Sequence, residues 1–262
     1  MNLIALDIGN TSTTLGFFLN DKQELIQSIP NTDLAALATI LKSSWARIPT
    51  VQASKEKKRD GVVVASSVNP KVADTIADIV RVELGEKMYL VGRDIPLALA
   101  IAVDEPSKVG TDRLVAAAAA YAVVEEAVVV ADFGTAITID LVDDNGTFLG
   151  GVIMPGFELS AKTLSTGTAM LPKIDVTRPD GPFGKNTRDA INCGIYWSAV
   201  ASLQEITRRF SEHLGKWPKT VVTGRASQLI KDDCDFIDSF VPDLVVRGIA
   251  LVYREYIQRE KE

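Results

Sequence analysis

The chain has 262 residues, 47% of them hydrophobic and 24% charged, an ordinary globular composition for one large domain or two moderate ones. Its net charge of −6 offers no whole-molecule attraction to nucleic acid or an anionic membrane, so an anionic ligand has to be held by local donors and a few cations. Two widely spaced cysteines and one histidine exclude a zinc cluster and fit reduced thiols in a cytoplasm, and the start "MNLIALDIG" lacks the basic region of a signal peptide.

In chain order, "LIALDI", "TLGFFL" and "ELIQSI" predict three strands. "NTDLAALATILKSSW" predicts a helix with Asn31 or Thr32 as its N-cap, and "SKEKKRD" (54–60) a solvated connector. "GVVVASSVNP" predicts a short buried strand running into a polar loop, and "PKVADTIADIVRVEL" a helix with Pro70 in its first turn. "VGTDRLVAAAAAYAVV" has strong helix propensity. Its apolar run stops at Glu125 and Glu126, short of the roughly 18 residues that would span a bilayer.

The opening pattern then returns. "AVVVADFGTAITIDLVDDNGTFLGGVIMPG" predicts strand, turn, strand, a hairpin reversal at Asn145–Gly146 with φ > 0 at both central positions, and a third strand. Laid over the start, Asp132 matches Asp7, Gly134 matches Gly9 and Thr138 matches Thr13, an offset of 125 residues. Two copies of a strand, Asp-x-Gly turn and strand unit imply two similar α/β domains. "FGKNTRDAINCGIYWSAVASLQEITRRF" predicts a long helix capped by Thr187, with His213 near its end as a solvated cation or cap. Trp45, Trp197 and Trp217 follow no stacking pattern and read as packing residues.

"DIGNTSTT" holds far more hydrogen-bonding capacity than a strand reversal needs. It reads either as an over-polar hairpin or as an anion cradle in which backbone N–H groups and hydroxyls converge around Gly9. Asp7 cannot itself embrace a phosphate, so its place in such a cradle is to hold Mg²⁺, directly or through water. Neither a Walker A motif nor G-x-G-x-x-G occurs. Thr111 and Asp112 suit a helix cap and first turn, but a cap makes no use of Arg113, whose charge is unfavourable there. A carboxylate beside an arginine suits phosphoryl transfer to an alcohol, as base and anion partner.

"DIGNTSTTLG", "VGTDRLVAAAAAY", "VVVADFGTAITIDLV", "GGVIMPG", "FGKNTRDAINCGIYW" and "VPDLVVRGIALVY", in this order over residues 2–256, resemble the type III pantothenate kinases. The resemblance implies an α/β fold of two RNase H-like (actin-like ATPase) domains, each a mixed sheet flanked by helices, with the active site in the cleft between them. The domains would be residues 1–115 and 116–241, with a C-terminal helix at about 242–262 packing back on the first. A cytoplasmic homodimer is implied, phosphorylating the primary hydroxyl of pantothenate with ATP, Mg²⁺ and a monovalent cation, K⁺ or NH₄⁺. On these positions Asp7, Ile8, Gly9, Asn10, Thr11, Ser12, Thr13 and Thr14 would form the ATP phosphate loop, with Thr135 a further ATP contact. Asp132 would ligate the monovalent cation. Gly110, Thr111, Asp112, Arg113 and Thr187 would bind pantothenate, with Asp112 the catalytic base.

Two positions depart from the family pattern. Val103 stands where a tyrosine often contacts pantothenate, and Arg225 replaces the second glycine of A-T-G-G. The alternatives are a kinase for another small hydroxy acid or polyol, and a nucleotide-binding regulatory protein without efficient transfer.

Overall fold

The computed structural model describes residues 1–51 and 58–260. Residues Ser54–Lys57 of the charged connector lie outside the described residues. The chain divides into two compact units. The first comprises Met1–Leu99, Ser107–Ala119 and Asp243–Glu262, and the second Ala100–Pro106 and Ala120–Pro242.

In the first unit, β1 (Leu3–Ile8), β2 (Ser12–Leu19) and β3 (Lys22–Pro30) form an antiparallel meander. The sheet is completed on the other side of β1 by β4 (Val62–Ser67) and β5 (Met88–Leu90), both parallel, giving the order β3-β2-β1-β4-β5. Alternation along β1 sorts its side chains: Ile4, Leu6 and Ile8 enter one core with Leu37, Leu41 and Trp45 of α1 (Leu34–Ala46) and with Ile76 and Val80 of α2 (Pro70–Leu84). Asp7, out of phase with that set, belongs to the opposite face. The β2–β3 reversal is a two-residue turn with Asn20 at φ 51° and Asp21 at φ 65°, the left-handed pair that matches strand twist.

The N-cap of α1 is Asp33, whose carboxylate accepts from the Ala36 N–H at 3.0 Å, not Asn31 or Thr32. Helix α2 starts as its sequence indicates, with Asn69 accepting from the Val72 N–H at 3.3 Å and Pro70 at the first helical position, where no N–H is needed. It ends on Gly85 at φ 70°. Helix α3 (Thr111–Val124) follows the strand β6 (Ala100–Ile101), and α6 (Leu244–Arg259) packs against β1, β2 and β4.

The second unit repeats the plan. β7 (Val128–Phe133), β8 (Ala136–Val142) and β9 (Thr147–Pro155) are antiparallel, and β10 (Lys219–Thr223) and β11 (Ser239–Phe240) run parallel on the far side of β7. The order β9-β8-β7-β10-β11 copies that of the first sheet, with β6 added beside β9. α4 (Phe157–Gly167) and α5 (Thr187–Leu214) complete it, Tyr196, Val200 and Leu203 of α5 covering Val129, Ala131 and Phe133. The β8–β9 reversal differs from the expected one. Only Gly146 is left-handed (φ 74°), because the Asp143 carboxylate accepts from the Asn145 and Thr147 N–H groups at 2.9 and 2.8 Å and keeps Asn145 in the ordinary region.

Trp45 is buried and Trp197 packs on the second core while donating to the Gly181 carbonyl at 3.2 Å. Trp217 stays half exposed. Among the described residues, no helix is long and apolar enough to cross a membrane.

Candidate active site

The first polar cluster sits at the carboxyl ends of β1 and β4, where parallel strands leave a crevice open to ligands. The turn after β1 is closed by the Gly9 N–H donating to the Ser12 carbonyl at 3.0 Å. Gly9 is favoured by space, not by φ: a Cβ there would stand 3.1 Å from the Ser12 carbonyl oxygen, a tight contact. Asn10 and Thr11 are exposed at the tip, and Asp7, Ser12 and Thr14 are half-buried. Thr13 is different. Its side chain is buried, and its hydroxyl donates to Asn31 Oδ1 at 2.8 Å, so it braces the loop from behind. Sequence reasoning missed Asn31 because it was assigned to a helix cap that Asp33 supplies.

Alongside, β4 delivers two serines that the sequence shows only as a polar strand end. Asp7 pairs with Ser66 across the parallel ladder, and the Val68 N–H donates to the Ile8 carbonyl at 3.1 Å. The Ser66 hydroxyl and the Ser67 N–H donate to Thr111 Oγ1 at 3.0 and 3.3 Å, and Thr111 donates to the Ser67 carbonyl at 3.1 Å. Thr111 is therefore no cap. As the first residue of α3, it ties that helix to the end of β4 and brings Gly110, Asp112 and Arg113 to the same edge as the Gly9 turn.

Asp112 Oδ1 accepts from the Arg113 N–H at 2.8 Å. Burial of the carboxylate outweighs that bond and the Arg113 charge, and pushes the Asp112 pKa above the usual carboxylate range. Such a group takes up a proton more readily than an ordinary aspartate, as a general base must. Gly110 lies beneath it: an added Cβ would be 2.5 Å from Asp112 Oδ1 and 3.3 Å from Val68 Cγ1. The far end of Asp112 has to swing aside in Gly110→Ala, and misplacing a catalytic group by about 1 Å can cost roughly 10²-fold. We expect Gly110→Ala to lose turnover on that scale with a nearly unchanged melting temperature; full turnover would show that the carboxylate position is not critical.

The second unit carries the matching turn. Asp7 pairs with Thr14 and Asp132 with Thr138, so the strand register aligns Thr138 with Thr14, not Thr13. The reason is a turn one residue shorter: Gly134 donates to Ala136 at 3.1 Å, where Gly9 reaches Ser12. The turn is clasped by Gly156, whose N–H donates to the Thr135 carbonyl at 3.0 Å, and Thr135 itself is exposed. Gly224, with φ 90°, lies against the other side of the strand end, where a Cβ would be 2.3 Å from Asp132 Oδ1. The Asp132 carboxylate therefore packs directly against Gly224, where no side chain could be accommodated, while a Cβ on Gly134 would meet it only at ordinary contact distance, 3.5 Å. Arg225 follows in an ordinary backbone conformation and is exposed, so its replacement of a glycine introduces no left-handed strain.

Helix α5 is capped by Asn186, which accepts from the Asp189 N–H at 3.0 Å and donates to the Asp189 carboxylate at 2.6 Å. Thr187 is the exposed first helical residue, and its hydroxyl is not the cap. The irregular chain before it is held by a two-pronged pair from Arg178 to Asp233 at 2.8 and 2.9 Å, and Asp233 also accepts from the buried Tyr196 hydroxyl. Val103 lies against Gly150, where a Cβ would meet its Cγ1 at 3.4 Å.

Among the described residues, no group of three or more metal-ligating side chains exists. A metal at either turn would be held by one carboxylate and by oxygens from the backbone, a ligand or water, which suits Mg²⁺ brought by a phosphate ester.

Comparison with known proteins shows which family the chain belongs to. Residues 3–209 match the family model described as type III pantothenate kinase. A protein of that description from Agathobacter rectalis is 33% identical over 261 residues, covering 97% of each chain. One from Syntrophobacter fumaroxidans is 33% identical over 257 residues, covering 96% of this chain and 97% of the other. Among solved structures, a Campylobacter jejuni protein described as a Baf family transcriptional activator superimposes with TM-score 0.61 at 20% identity, over 97% of this chain and 99% of that one. The ethanolamine utilization protein EutJ of Carboxydothermus hydrogenoformans gives 0.53 at 15% identity, over 96% and 90%. These two likenesses speak to the fold alone.

Proposed function

Because this chain belongs to the type III pantothenate kinase family, we propose that it transfers the γ-phosphoryl group of ATP to the primary hydroxyl of pantothenate, giving 4′-phosphopantothenate and ADP. This is the first step of coenzyme A synthesis. The observation that carries the reading is the junction of the Gly9 turn with the Asp112–Arg113 pair, made through Ser66, Ser67 and Thr111 on one strand edge.

Phosphoryl transfer asks little covalent chemistry of a protein; it needs positioning and charge stabilisation. The Gly9 turn offers N–H groups to the nucleotide phosphates, with the exposed Asn10 and Thr11 at its tip. Asp112 accepts the proton of the attacking hydroxyl, its raised pKa matching that task. Arg113 provides a fixed positive charge for the pantothenate carboxylate or for charge building on the transferred group. Gly110 and Thr111 shape the pantothenate contact, with Thr187 as a further one and Thr135 as a further ATP contact. Val103 removes a hydroxyl partner, which we expect to show as weaker pantothenate binding and not as a change of reaction.

Asp7 would hold Mg²⁺, directly or through water, and Asp132, at the end of β7 against Gly224, the monovalent cation. The cations supply positive charge that offsets the phosphate oxygens. We expect activity in K⁺ or NH₄⁺ to exceed that in Na⁺ alone, and Asp132→Ala to lose both activity and this dependence. Equal rates in Na⁺ and K⁺ would contradict the assignment.

We propose a homodimer, in line with the family; Met170, Phe183 and Ile153 are apolar and 90%, 69% and 64% exposed in the second unit, and a partner that covered them would remove that apolar area from water. Two free buried cysteines support a reducing cytoplasm. Product identity decides the substrate: mass spectrometry after incubation with ATP and a panel of small hydroxy acids should show phosphopantothenate as the dominant product. A preferred product from another acid would overturn the substrate assignment.

A further inference from the structure

Asn31 makes three hydrogen bonds to the Gly9 turn. Its Nδ2 donates to the Gly9 carbonyl at 2.9 Å, its Oδ1 accepts from the buried Thr13 hydroxyl at 2.8 Å, and its backbone N–H donates to the Thr11 carbonyl at 2.9 Å. The partners fall on alternate residues, 9, 11 and 13, and all lie on one side of the loop.

That arrangement has a directional consequence. In a planar trans peptide the carbonyl and the following N–H point opposite ways. Drawing the Gly9 and Thr11 carbonyls toward Asn31 therefore turns the N–H groups of Asn10 and Ser12 to the opposite side, at a tip where Asn10 and Thr11 are exposed. A loop of small residues could present either carbonyls or N–H groups to that side; presenting N–H groups makes it an anion site. We infer that Asn31 is a positioning residue that locks the Gly9–Thr13 loop with the Asn10 and Ser12 N–H groups turned away from it and so sets the affinity for the nucleotide phosphates. Asn31 needs no contact with the nucleotide. It works through the peptide planes, and Thr13 is its buried partner. A side chain with a donor and an acceptor on one planar group is required, which asparagine supplies and serine does not in that geometry.

This inference rests on the proposed use of the loop for ATP. Its test is the affinity of the full-length protein for Mg·ATP by isothermal titration, together with the KM for each substrate, in wild type, Asn31→Ala and Thr13→Val. Asn31→Ala removes both side-chain bonds, and at the usual scale of a neutral hydrogen bond ATP affinity should fall by about tenfold or more. Thr13→Val keeps the volume and the Gly9 bond, and should lose about threefold. In both, the KM for pantothenate should stay near wild type, a split that general destabilisation would not give. Should Asn31→Ala prove unfolded by its melting curve, Thr13→Val decides alone. Wild-type ATP affinity in the folded variants would overturn the role of Asn31 and leave the kinase reading standing. A wild-type protein that does not bind Mg·ATP would overturn both.

Discussion

Asp112→Asn is expected to lower kcat by roughly 10²–10⁴-fold, the usual contribution of a positioned general base, while ATP affinity stays near wild type. The amide preserves shape and the bond from the Arg113 N–H but cannot take the hydroxyl proton. The same substitution tests the environment of the carboxylate. Because burial raises the folded-state pKa of Asp112, the native state holds the proton more tightly than the unfolded chain. Stability from this group is then fully present below the unfolded pKa and is lost as pH rises through the folded pKa. A neutral amide carries no such loss, so the variant should melt higher than wild type at neutral pH, with the gap closing in acid. Catalysis has the opposite sign: the acid limb of kcat/KM should lie above the range of an ordinary aspartate, since the base must be ionised. A variant with wild-type turnover would remove Asp112 from the mechanism and leave it as a first-turn acid on α3.

Gly9→Val is expected to abolish ATP binding. The Cβ alone would stand 3.1 Å from the Ser12 carbonyl that closes the turn, and the branched methyl groups add bulk on a backbone proposed to approach phosphates closely. Gly9→Ala should give an intermediate loss, because the Ser12 carbonyl has to yield by only a few tenths of an ångström. Titration with Mg·ATP beside a melting curve separates a lost site from a lost fold. Unchanged affinity in folded Gly9→Val would make "DIGNTSTT" a polar hairpin and nothing more.

The duplicated plan was visible in the sequence because it rests on local signals. β1 and β7 are apolar runs ending in Asp-x-Gly, and α2 carries its own start and stop in Asn69, Pro70 and Gly85. What completes the sheets was not. β5 has three residues and β11 two, too short to show any periodicity, and their place is fixed by pairing with β4 and β10. Caps were misjudged where two polar residues stand side by side: Asp33 caps α1 instead of Asn31 or Thr32, and Asn186 caps α5 instead of Thr187. Released from capping, Asn31 bonds the Gly9 turn instead. Motif order pointed to the Gly9 turn and to Asp112. It could not show that Ser66 and Ser67 join them, or that Thr13 faces inward, because those facts depend on contacts between segments far apart in sequence. The turn at Asn145–Gly146 shows how a neighbouring side chain overrides a dipeptide preference: Asp143 takes the N–H groups and leaves only the glycine left-handed.

The central claim is that one strand edge joins a nucleotide loop to a base poised for an alcohol. Its most direct measurement is coupled ADP release in K⁺ buffer with Mg·ATP, with and without pantothenate, comparing wild type with Asp112→Asn. The account predicts ADP release that depends on pantothenate, yields one phosphorylated product per ADP, and falls by at least roughly 10²-fold in the variant. ADP release that ignores pantothenate, or that survives intact in Asp112→Asn, would contradict it.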